Sequence, residues 1–377
     1  MTSYRAIEER YATWQARLAL SKYCQSVIDV APGTRANEVA GRIKTPFTLV
    51  VTGTLIVPPT SAGVEALLRA AEAPGVFATV PVANDTTAAV QHRPSEQIYL
   101  TLRQFEDTAA RYLTSAEAPV VAEWQTADPG MFLVKTESLL NLDTPIEKLL
   151  NHRQVSVVPQ AYFHRFAEHR SQVRLDLLEL IDTTATSILE FGCGEGALGQ
   201  ALKERQQCRV EGIELDPDAA AIARTRLDAV HNGDVRDLIP GMIEKFDWIV
   251  GGDILEHIEE PWTFLRELRK ASKPGGKLLL SLPNVSSWPI VADLLRGRFD
   301  YVYMGILCAG HVRFFTKETV RDMLAISGWA DAQLTDQPHF QTPEYDQLVA
   351  ALEKGGIPHS PADLLPTGHY VIAVNQG

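Results

Sequence analysis

A glycine cluster follows an apolar run near the middle of the chain, in the stretch "SILEFGCGEGALGQA" at 187–201. Gly192, Gly194 and Gly196 give the spacing G-x-G-x-G, and Ala197 also completes the dinucleotide pattern G-x-G-x-x-A. Glycines at this spacing let the backbone turn sharply after a strand and approach a ligand closely. The loop therefore predicts a nucleotide-type cofactor and leaves its identity open.

Acidic residues stand where the following strands are predicted to end. Glu214 closes "CRVEGIEL", about 20 residues after the loop, where a carboxylate binds the hydroxyls of a ribose. NAD and S-adenosylmethionine both contain such a ribose, so Glu214 does not separate them. Asp234 in "NGDV" can accept from an adenine amino group or serve as a turn residue. Asp253 in "VGGDILEHI" follows a strand beside the crevice where open α/β sheets bind ligands.

The elements that must position these residues alternate from about residue 186 onward. "SILEF", "CRVEGIEL", "FDWIVGGD" and "GHYVIAVNQ" read as strands, and helical patterns such as "DPDAAAIARTRLDAV" and "TKETVRDMLAISGW" lie between them. Asp216 and Pro217 fit the start of a helix. A further helix is predicted over "AYFHRFAEHRSQVRLDLLELI". This alternation predicts a mostly parallel, doubly wound, Rossmann-like α/β sheet.

The first 150 residues carry a second α/β pattern without a glycine loop. "TPFTLVVTG", "GVFATVPV" and "GMFLVKT" predict strands, and "SAGVEALLRAAEA" and "LRQFEDTAARYL" predict helices. A chain of 377 residues is long enough for two domains. We therefore expect a smaller N-terminal α/β domain over 1–150 and a larger domain over 151–377.

The second half resembles the class I S-adenosylmethionine-dependent methyltransferases. "ILEFGCGEGALGQAL", "VEGIELDPDAA", "NGDV", "FDWIVGGDILEHIEEP" and "LRKASKPGGKLLLSLPN" follow the successive motifs of that family, in order, over about 187–284. The resemblance implies that the glycines approach the methionine part of the cofactor, that Glu190 supports the loop, and that Glu214 holds the ribose. The cofactor-binding residues it implies are Glu190, Gly192, Cys193, Gly194, Gly196, Glu214, Leu215, Asp234, Val235 and Asp253.

The charges of these residues agree with that resemblance. A sulfonium cofactor carries a positive charge, which suits a site ringed by carboxylates, whereas the diphosphate of NAD would face Glu195.

Two alternatives stay open. One is an NAD-dependent oxidoreductase that uses the same loop, and the other is a non-catalytic S-adenosylmethionine-binding scaffold or regulator in a glycan pathway.

Methyl transfer from a sulfonium is an in-line displacement that depends mainly on proximity and alignment. A hydroxyl acceptor also needs a base, and histidine is the usual choice. His257 in "DILEHI" and His311 in "CAGHVRFFT" are the candidates, although either could instead pack against a loop or cap a helix. Asp253, expected near the methyl-transfer point, completes the predicted catalytic set.

The segment after the fifth predicted strand resembles one methyltransferase subgroup, which carries a His-x-Arg-Phe-Phe-Thr motif. That subgroup is often fused to, or encoded beside, family 2 glycosyltransferase proteins of glycan pathways. The motif occupies 311–316, but Cys308, Ala309 and Gly310 replace the Asp-Arg-Thr that usually precedes it. The resemblance implies a hydroxyl acceptor on a sugar, glycan precursor or related metabolite. The predicted substrate-binding residues are Arg298, Tyr301, Tyr303 and Arg313.

The N-terminal half resembles a degenerate family 2 glycosyltransferase. "TPFTLVVTGTLIVPPTSAGVEALLRAAEAPGVFATVPV" follows the strand, metal-binding turn and helix of that fold. The Asp-x-Asp that would hold a divalent cation is replaced by Thr52, Gly53 and Thr54, which cannot do so. We therefore expect an accessory module without glycosyltransferase activity.

The composition narrows the classes of function that remain. The chain is 45% hydrophobic and 22% charged with a net charge of −12, which disfavours a nucleic-acid partner. No apolar run approaches the roughly 20 residues of a membrane span, and the first residues lack the apolar core of a secretion signal. The four cysteines are scattered, so we expect no disulfide framework and no metal site. A cytoplasmic enzyme with a small-molecule or glycan-type substrate fits, and a homo-oligomer stays open.

Overall fold

The chain folds into two compact units. The computed structural model describes residues 20, 33–52, 55–58, 60–83, 91, 101–125, 129–165, 172–302, 305–339 and 341–377. The N-terminal unit contains the described residues up to 165 together with 300–302, and the C-terminal unit contains 172–299 and 305–377. In the described residues, no helix has the length and apolar character that would let it cross a membrane.

A mixed sheet forms the centre of the N-terminal unit. Its strands pair in the order β1-β5-β3-β6-β2, with β4 on β6, and β3 runs parallel to β6. The strands are β1 Phe47–Val51, β2 Leu55–Ile56, β3 Ala78–Ala83, β4 Val120–Glu123, β5 Met131–Lys135 and β6 Gln154–Arg165. The α-helices are α1 Ala36–Ala40, α2 Ala62–Ala71 and α3 Leu102–Leu113, and 3₁₀ turns cover Thr136–Leu139 and Ile146–Lys148.

Strand β6 corrects two sequence predictions. It hydrogen-bonds to β3 and β4 of the N-terminal sheet, so the boundary drawn between 150 and 151 falls ahead of this strand. The helix predicted over 161–181 is wrong in its first part, because β6 extends to Arg165; of the described residues in this stretch, only Leu175–Leu180 is helical. The backbone N–H and C=O groups of β6 form hydrogen bonds with β3, and this tertiary pairing overrides the local helical spacing of the apolar and aromatic residues.

A seven-stranded sheet forms the centre of the C-terminal unit, in the order β12-β13-β11-β10-β7-β8-β9. Neighbouring strands from β9 to β11 are parallel, and β13 is antiparallel to both of its neighbours. The strands are β7 Ser187–Phe191, β8 Arg209–Glu214, β9 Ala229–Asn232, β10 Phe246–Gly252, β11 Ser272–Pro283, β12 Ala330–Asp336 and β13 Gly368–Val374. The predicted Rossmann-like sheet is confirmed.

Helices cover this sheet, and apolar side chains from both lie in the core. Leu189, Ile249 and Leu280 of the central strands are fully buried. The α-helices of the unit are α4 Leu175–Leu180, α5 Ala197–Arg205, α6 Pro217–Ala223, α7 Val235–Leu238, α8 Pro261–Ala271, α9 Trp288–Leu294, α10 Lys317–Ile326, α11 Pro343–Lys354 and α12 Pro361–Leu364, with 3₁₀ turns at Ile239–Gly241 and Leu255–His257. The predicted cap of α6 is present, because the Asp216 side chain accepts from the amides of Asp218 and Ala219.

The strand order places the carboxyl ends of β7, β8 and β10 together. The chain passes from β7 to β8 and β9 on one side of β7, and then returns to add β10 and β11 on the other. Such a reversal opens a crevice beyond the carboxyl ends of the central strands, where α/β sheets bind ligands. Gly192, Glu214 and Asp253 lie at these ends, directly after or at the last residue of their strands.

Candidate active site

The glycine loop joins β7 to α5 through three left-handed residues. Gly192, Gly194 and Gly196 have φ values of +71°, +54° and +78°. At Gly192 a Cβ atom would lie 2.4 Å from Cδ1 of Ile254, so both the conformation and the space require glycine. The amide of Gly192 donates to the carbonyl of Ile213 at 2.8 Å, which fastens the loop to the end of β8.

Glu214 connects this loop to the next helix. Its Oε2 accepts from the amide of Gly194 and its Oε1 from the amide of Asp216, both at 2.8 Å. Each carboxylate oxygen has two lone pairs, so each can accept one further hydrogen bond from a ribose hydroxyl. The side-chain amide of Asn232 donates to the main-chain oxygens of Glu214 and Leu215 at 2.8 and 3.2 Å. The loop and the ends of β8 and β9 therefore form one hydrogen-bonded unit.

Glu190 and Cys193 are buried beneath the loop. Burial raises the pKa of Glu190 to about 8; the amide of Gly199 opposes this shift and the charge of Glu214 adds to it. Oε2 of Glu190 has no hydrogen-bond partner among the described residues. Burial also raises the pKa of the Cys193 thiol, and both carboxylates raise it further. Cys193 therefore stays a neutral thiol, and its side chain fills space beneath the glycine loop.

Asp234 occupies the start of α7. Its Oδ1 accepts from both the amide and Nε of Arg236 at 2.9 Å, and hydrogen bonding from the Arg236 side chain is the main cause that lowers the pKa of Asp234. Asp234 therefore caps the first turn of α7. Val235 packs against the core of the unit.

Asp253 is held by a cation that the sequence did not reveal. It has a left-handed φ of +53°, its Oδ2 accepts from Nη1 of Arg174 at 2.7 Å, and its Oδ1 accepts from the hydroxyl of Ser281 at 2.8 Å. Arg174 also donates to Asp176 at 2.7 Å. Burial disfavours the charged guanidinium, but hydrogen bonds and charge from Asp176 and Asp253 outweigh burial and raise the pKa of Arg174.

The two predicted histidines lie against each other. Their ring centroids are 4.8 Å apart with the ring planes at 81°. Nδ1 of His257 lies 3.0 Å from the carbonyl of Gly310, and Nδ1 of His311 lies 2.9 Å from the carbonyl of Ile306. A carbonyl can only accept, so each Nδ1 carries the proton and each Nε2 carries the lone pair of the neutral ring.

Burial favours this neutral form in both rings. It lowers the pKa of His257, and it lowers the pKa of His311 to about 4 with a further contribution from His257. The charge of Asp253 opposes both shifts. Glu256 lies beside the pair, with its Oε1 3.8 Å from Nε2 of His311. The structure thus adds Glu256 to the two histidines that the sequence named.

The four predicted substrate-binding residues are not brought into one cluster by the described contacts. Arg313 donates to the carbonyl of Val312 at 2.8 Å and lies 4.0 Å from Oε1 of Glu260, as a surface pair. The amide of Arg298 donates to the carbonyl of Asp293 at 2.9 Å in the C-terminal unit. Tyr301 belongs to the N-terminal unit. Tyr303, and Gly53 and Thr54 of the predicted turn, lie outside the described residues.

Comparison with known proteins agrees with the sheet and the loop. Residues 159–334 match the sequence family described as "Methyltransferase domain". These residues are similar to methyltransferase domains. The predicted enzyme class is confirmed at this level, and with it S-adenosylmethionine as the cofactor of the domain.

The curated relatives match only part of the chain. A ubiquinone biosynthesis O-methyltransferase of Xanthomonas oryzae pv. oryzae is 33% identical over 119 residues, which are 30% of this chain and 49% of the relative. The mitochondrial ubiquinone biosynthesis O-methyltransferase of Schizosaccharomyces pombe is 35% identical over 102 residues, 25% of this chain and 36% of the relative. The chain thus spans about half the length, or less, of these relatives.

One solved structure that resembles the chain is a SAM dependent methyltransferase from Archaeoglobus fulgidus. The TM-score is 0.41 at 16% sequence identity, over 53% of this chain and 91% of that chain.

Proposed function

We propose that the C-terminal unit transfers a methyl group from S-adenosylmethionine to a hydroxyl of a polar small molecule. The observation that carries the proposal is the 2.8 Å bond between the amide of Gly194 and Glu214. It joins the glycine loop to the carboxylate expected to bind ribose, at the same sheet edge as Asp253. A loop and a carboxylate locked together in this way form a prearranged surface for a nucleoside.

The residues present fit this cofactor. Glu190 offers a buried oxygen that has no hydrogen-bond partner among the described residues, Glu214 retains acceptor capacity on both oxygens, and Asp253 adds negative charge. Arg174 is a fixed cation beside Asp253 that can pair with the carboxylate of the methionyl part. When bound, the cofactor supplies an electrophilic methyl group on a positively charged sulfur. The chain binds the ribose through Glu214 and aligns the methionyl part along the glycine loop.

The acceptor hydroxyl must lose its proton as its oxygen bonds to the methyl carbon. The carbon–sulfur bond breaks in the same step, and sulfur keeps the electron pair. His257 and His311 are the proposed bases, because each is held with Nδ1–H on a carbonyl and Nε2 able to accept a proton. Asp253 lies close enough for its charge to favour the imidazolium form that results.

The acceptor is proposed to be a sugar, glycan precursor or related metabolite. This rests on the resemblance of 311–316 to the glycan-pathway subgroup. The curated relatives are named as O-methyltransferases, which supports an oxygen acceptor without pointing to a sugar. The N-terminal unit is proposed as a glycosyltransferase-like accessory module, and the setting as cytoplasmic.

Cofactor binding by the full chain tests the first part of the proposal. We expect S-adenosylhomocysteine to raise the melting temperature and to bind in calorimetry, because a ligand that binds only the native state stabilises it. A shift with NAD but none with S-adenosylhomocysteine would contradict the proposal. Binding without transfer to any hydroxyl acceptor would favour the scaffold alternative.

Single substitutions His257→Gln and His311→Gln test the base. Once an acceptor is found, loss of the general base should lower kcat by roughly 10²- to 10⁴-fold, while the other substitution should have a smaller effect. Affinity for S-adenosylhomocysteine should stay unchanged in both variants. If neither substitution slows transfer, the histidine-base hypothesis is wrong.

A further inference from the structure

Three buried electron-pair donors face one another near the carboxyl end of β10. They belong to Glu256, His257 and His311, and one possible ligand atom of each residue lies within 4.8 Å of those of the other two. Glu256 is 1% exposed, His257 9%, and the side chain of His311 8%. Two imidazoles and one carboxylate this close together form a ligand set that transition-metal cations accept.

Backbone contacts prepare both imidazoles as ligands. Each Nδ1 is bonded to a main-chain carbonyl, that of Gly310 or Ile306, which leaves Nε2 as the donor atom. Metal-binding histidines are typically oriented by such a contact from the other ring nitrogen. The main-chain oxygen of Glu256 also accepts from the amides of Val312 and Arg313 at 2.9 and 3.0 Å. This contact fixes the segment that carries His311 against the turn that carries the other two residues.

The spacing within the cluster is close to that of a coordinated cation. Nε2 of His311 and Oε1 of Glu256 are 3.8 Å apart, too far for a hydrogen bond. If the two atoms shared a proton, they would lie about 2.7–2.9 Å apart. Two ligands on one tetrahedral cation, with bonds of about 2.1 Å, lie about 3.4 Å apart. Small side-chain rotations would therefore close the cluster around an ion.

We propose that Glu256, His257 and His311 bind a divalent transition-metal cation of the zinc type. Two imidazoles and one carboxylate suit zinc, cobalt, nickel or iron, whereas magnesium and calcium prefer oxygen ligands throughout. Three protein ligands leave a fourth position open, as in catalytic zinc sites. This proposal revises the sequence expectation that the chain has no metal site.

The use of the cation in methyl transfer rests on the proposed function. In that setting the open position would accept the acceptor hydroxyl and the cation would lower the pKa of that hydroxyl, so that the proton could leave to solvent as the oxygen bonds to the methyl carbon. The two Nε2 atoms then hold the cation in place of acting as the base. Metal binding itself does not depend on which reaction the chain performs.

Metal titration of the full chain, produced without a histidine tag and stripped with EDTA, tests the site. We expect one Zn²⁺ per chain by calorimetry, and visible absorption of four- or five-coordinate Co²⁺. Glu256→Gln, His257→Gln and His311→Gln should each weaken Zn²⁺ binding by at least roughly tenfold, the scale produced by loss of outer-shell partners alone. His231→Gln is the matched control, because His231 contacts Glu211 at 3.1 Å outside the cluster. It should leave Zn²⁺ affinity unchanged.

Two outcomes would overturn the site: no stoichiometric Zn²⁺ or Co²⁺ binding by the wild-type chain, or binding that His311→Gln leaves intact. Where a variant fails to fold, pulsed electron paramagnetic resonance of the Cu²⁺-loaded wild-type chain should show coupling to two imidazoles. Absence of that coupling would also overturn the site. Binding of S-adenosylhomocysteine by the same stripped chain is measured in parallel, so failure of the metal site is distinguishable from failure of the proposed function.

Discussion

Substituting Glu214 with glutamine changes its charge while nearly preserving its size. In the structure, the two carboxylate oxygens accept separately from the amides of Gly194 and Asp216. Glutamine keeps only one oxygen, so one of these amides would face an NH₂ group. The substitution therefore weakens the loop and the ribose site together.

The expected magnitude follows from these contacts. A hydrogen bond to a charged group contributes about 1.5–3 kcal/mol, and the partial exposure of Glu214 favours the lower end for unfolding, about 1.5 kcal/mol. One ribose hydroxyl also loses its charged acceptor. The same range, converted at about 1.4 kcal/mol per tenfold, predicts a roughly 10- to 150-fold increase in the Kd of S-adenosylhomocysteine.

Calorimetric titration with S-adenosylhomocysteine measures the Kd, and urea unfolding measures the free energy of unfolding. Glu204→Gln is the matched control, because Glu204 is exposed on α5 and contacts only Gln200 in the described hydrogen bonds. It should change neither quantity. A Glu214→Gln chain that folds and binds within about twofold of the wild-type Kd would refute the assignment of Glu214 to the ribose.

Three further perturbations test the surroundings of the loop. Gly192→Ala places a Cβ 2.4 Å from Cδ1 of Ile254 in a residue whose φ is +71°, so urea unfolding should show that the free energy of unfolding falls by about 2–4 kcal/mol. If the effects of Gly192→Ala and Ile254→Ala simply add in the double variant, the clash is contradicted. Because the pKa of Glu190 is raised from 4.5 to about 8, the native state keeps a proton that the unfolded chain releases, and stability falls as pH rises through this window. Glu190→Gln should flatten that slope in urea unfolding, and an unchanged slope would contradict the raised pKa. Arg174→Lys keeps the charge but loses the guanidinium that contacts Asp176 through Nε and Nη2 and Asp253 through Nη1, and it should weaken S-adenosylhomocysteine binding at least roughly tenfold by calorimetry. Unchanged affinity would exclude Arg174 from the cofactor site.

Much of the C-terminal fold could be predicted because its signals are local. The strands of a parallel sheet are buried on both faces, so each appears as a short apolar run between turn residues. The starts of α6 and α10 depend on Asp216 and Thr316, whose side chains cap the first turn of their own helices. Prediction failed at 161–165, where pairing with β3 and β2 decides the conformation.

The N-terminal boundary was hard to place for a related reason. The segment after residue 150 continues the first sheet through strand β6, and only its pairing with β3 and β4 reveals this. The sequence predicts a boundary between 150 and 151, but it contains no signal for the partner of strand β6. Sheet membership is a long-range property, so the chain's own periodicity does not determine it.

The sequence by itself determined the glycine loop and the carboxylate that meets it. Gly194 and Glu214 lie within one strand–helix–strand unit, 20 residues apart, and the dimensions of that unit bring them together. The tertiary structure alone decided the rest of the site. Arg174 reaches Asp253 across 79 residues, and His257 is oriented by a carbonyl 53 residues further along. Sheet order and packing create these contacts between distant segments, so no local pattern of residues can reveal them.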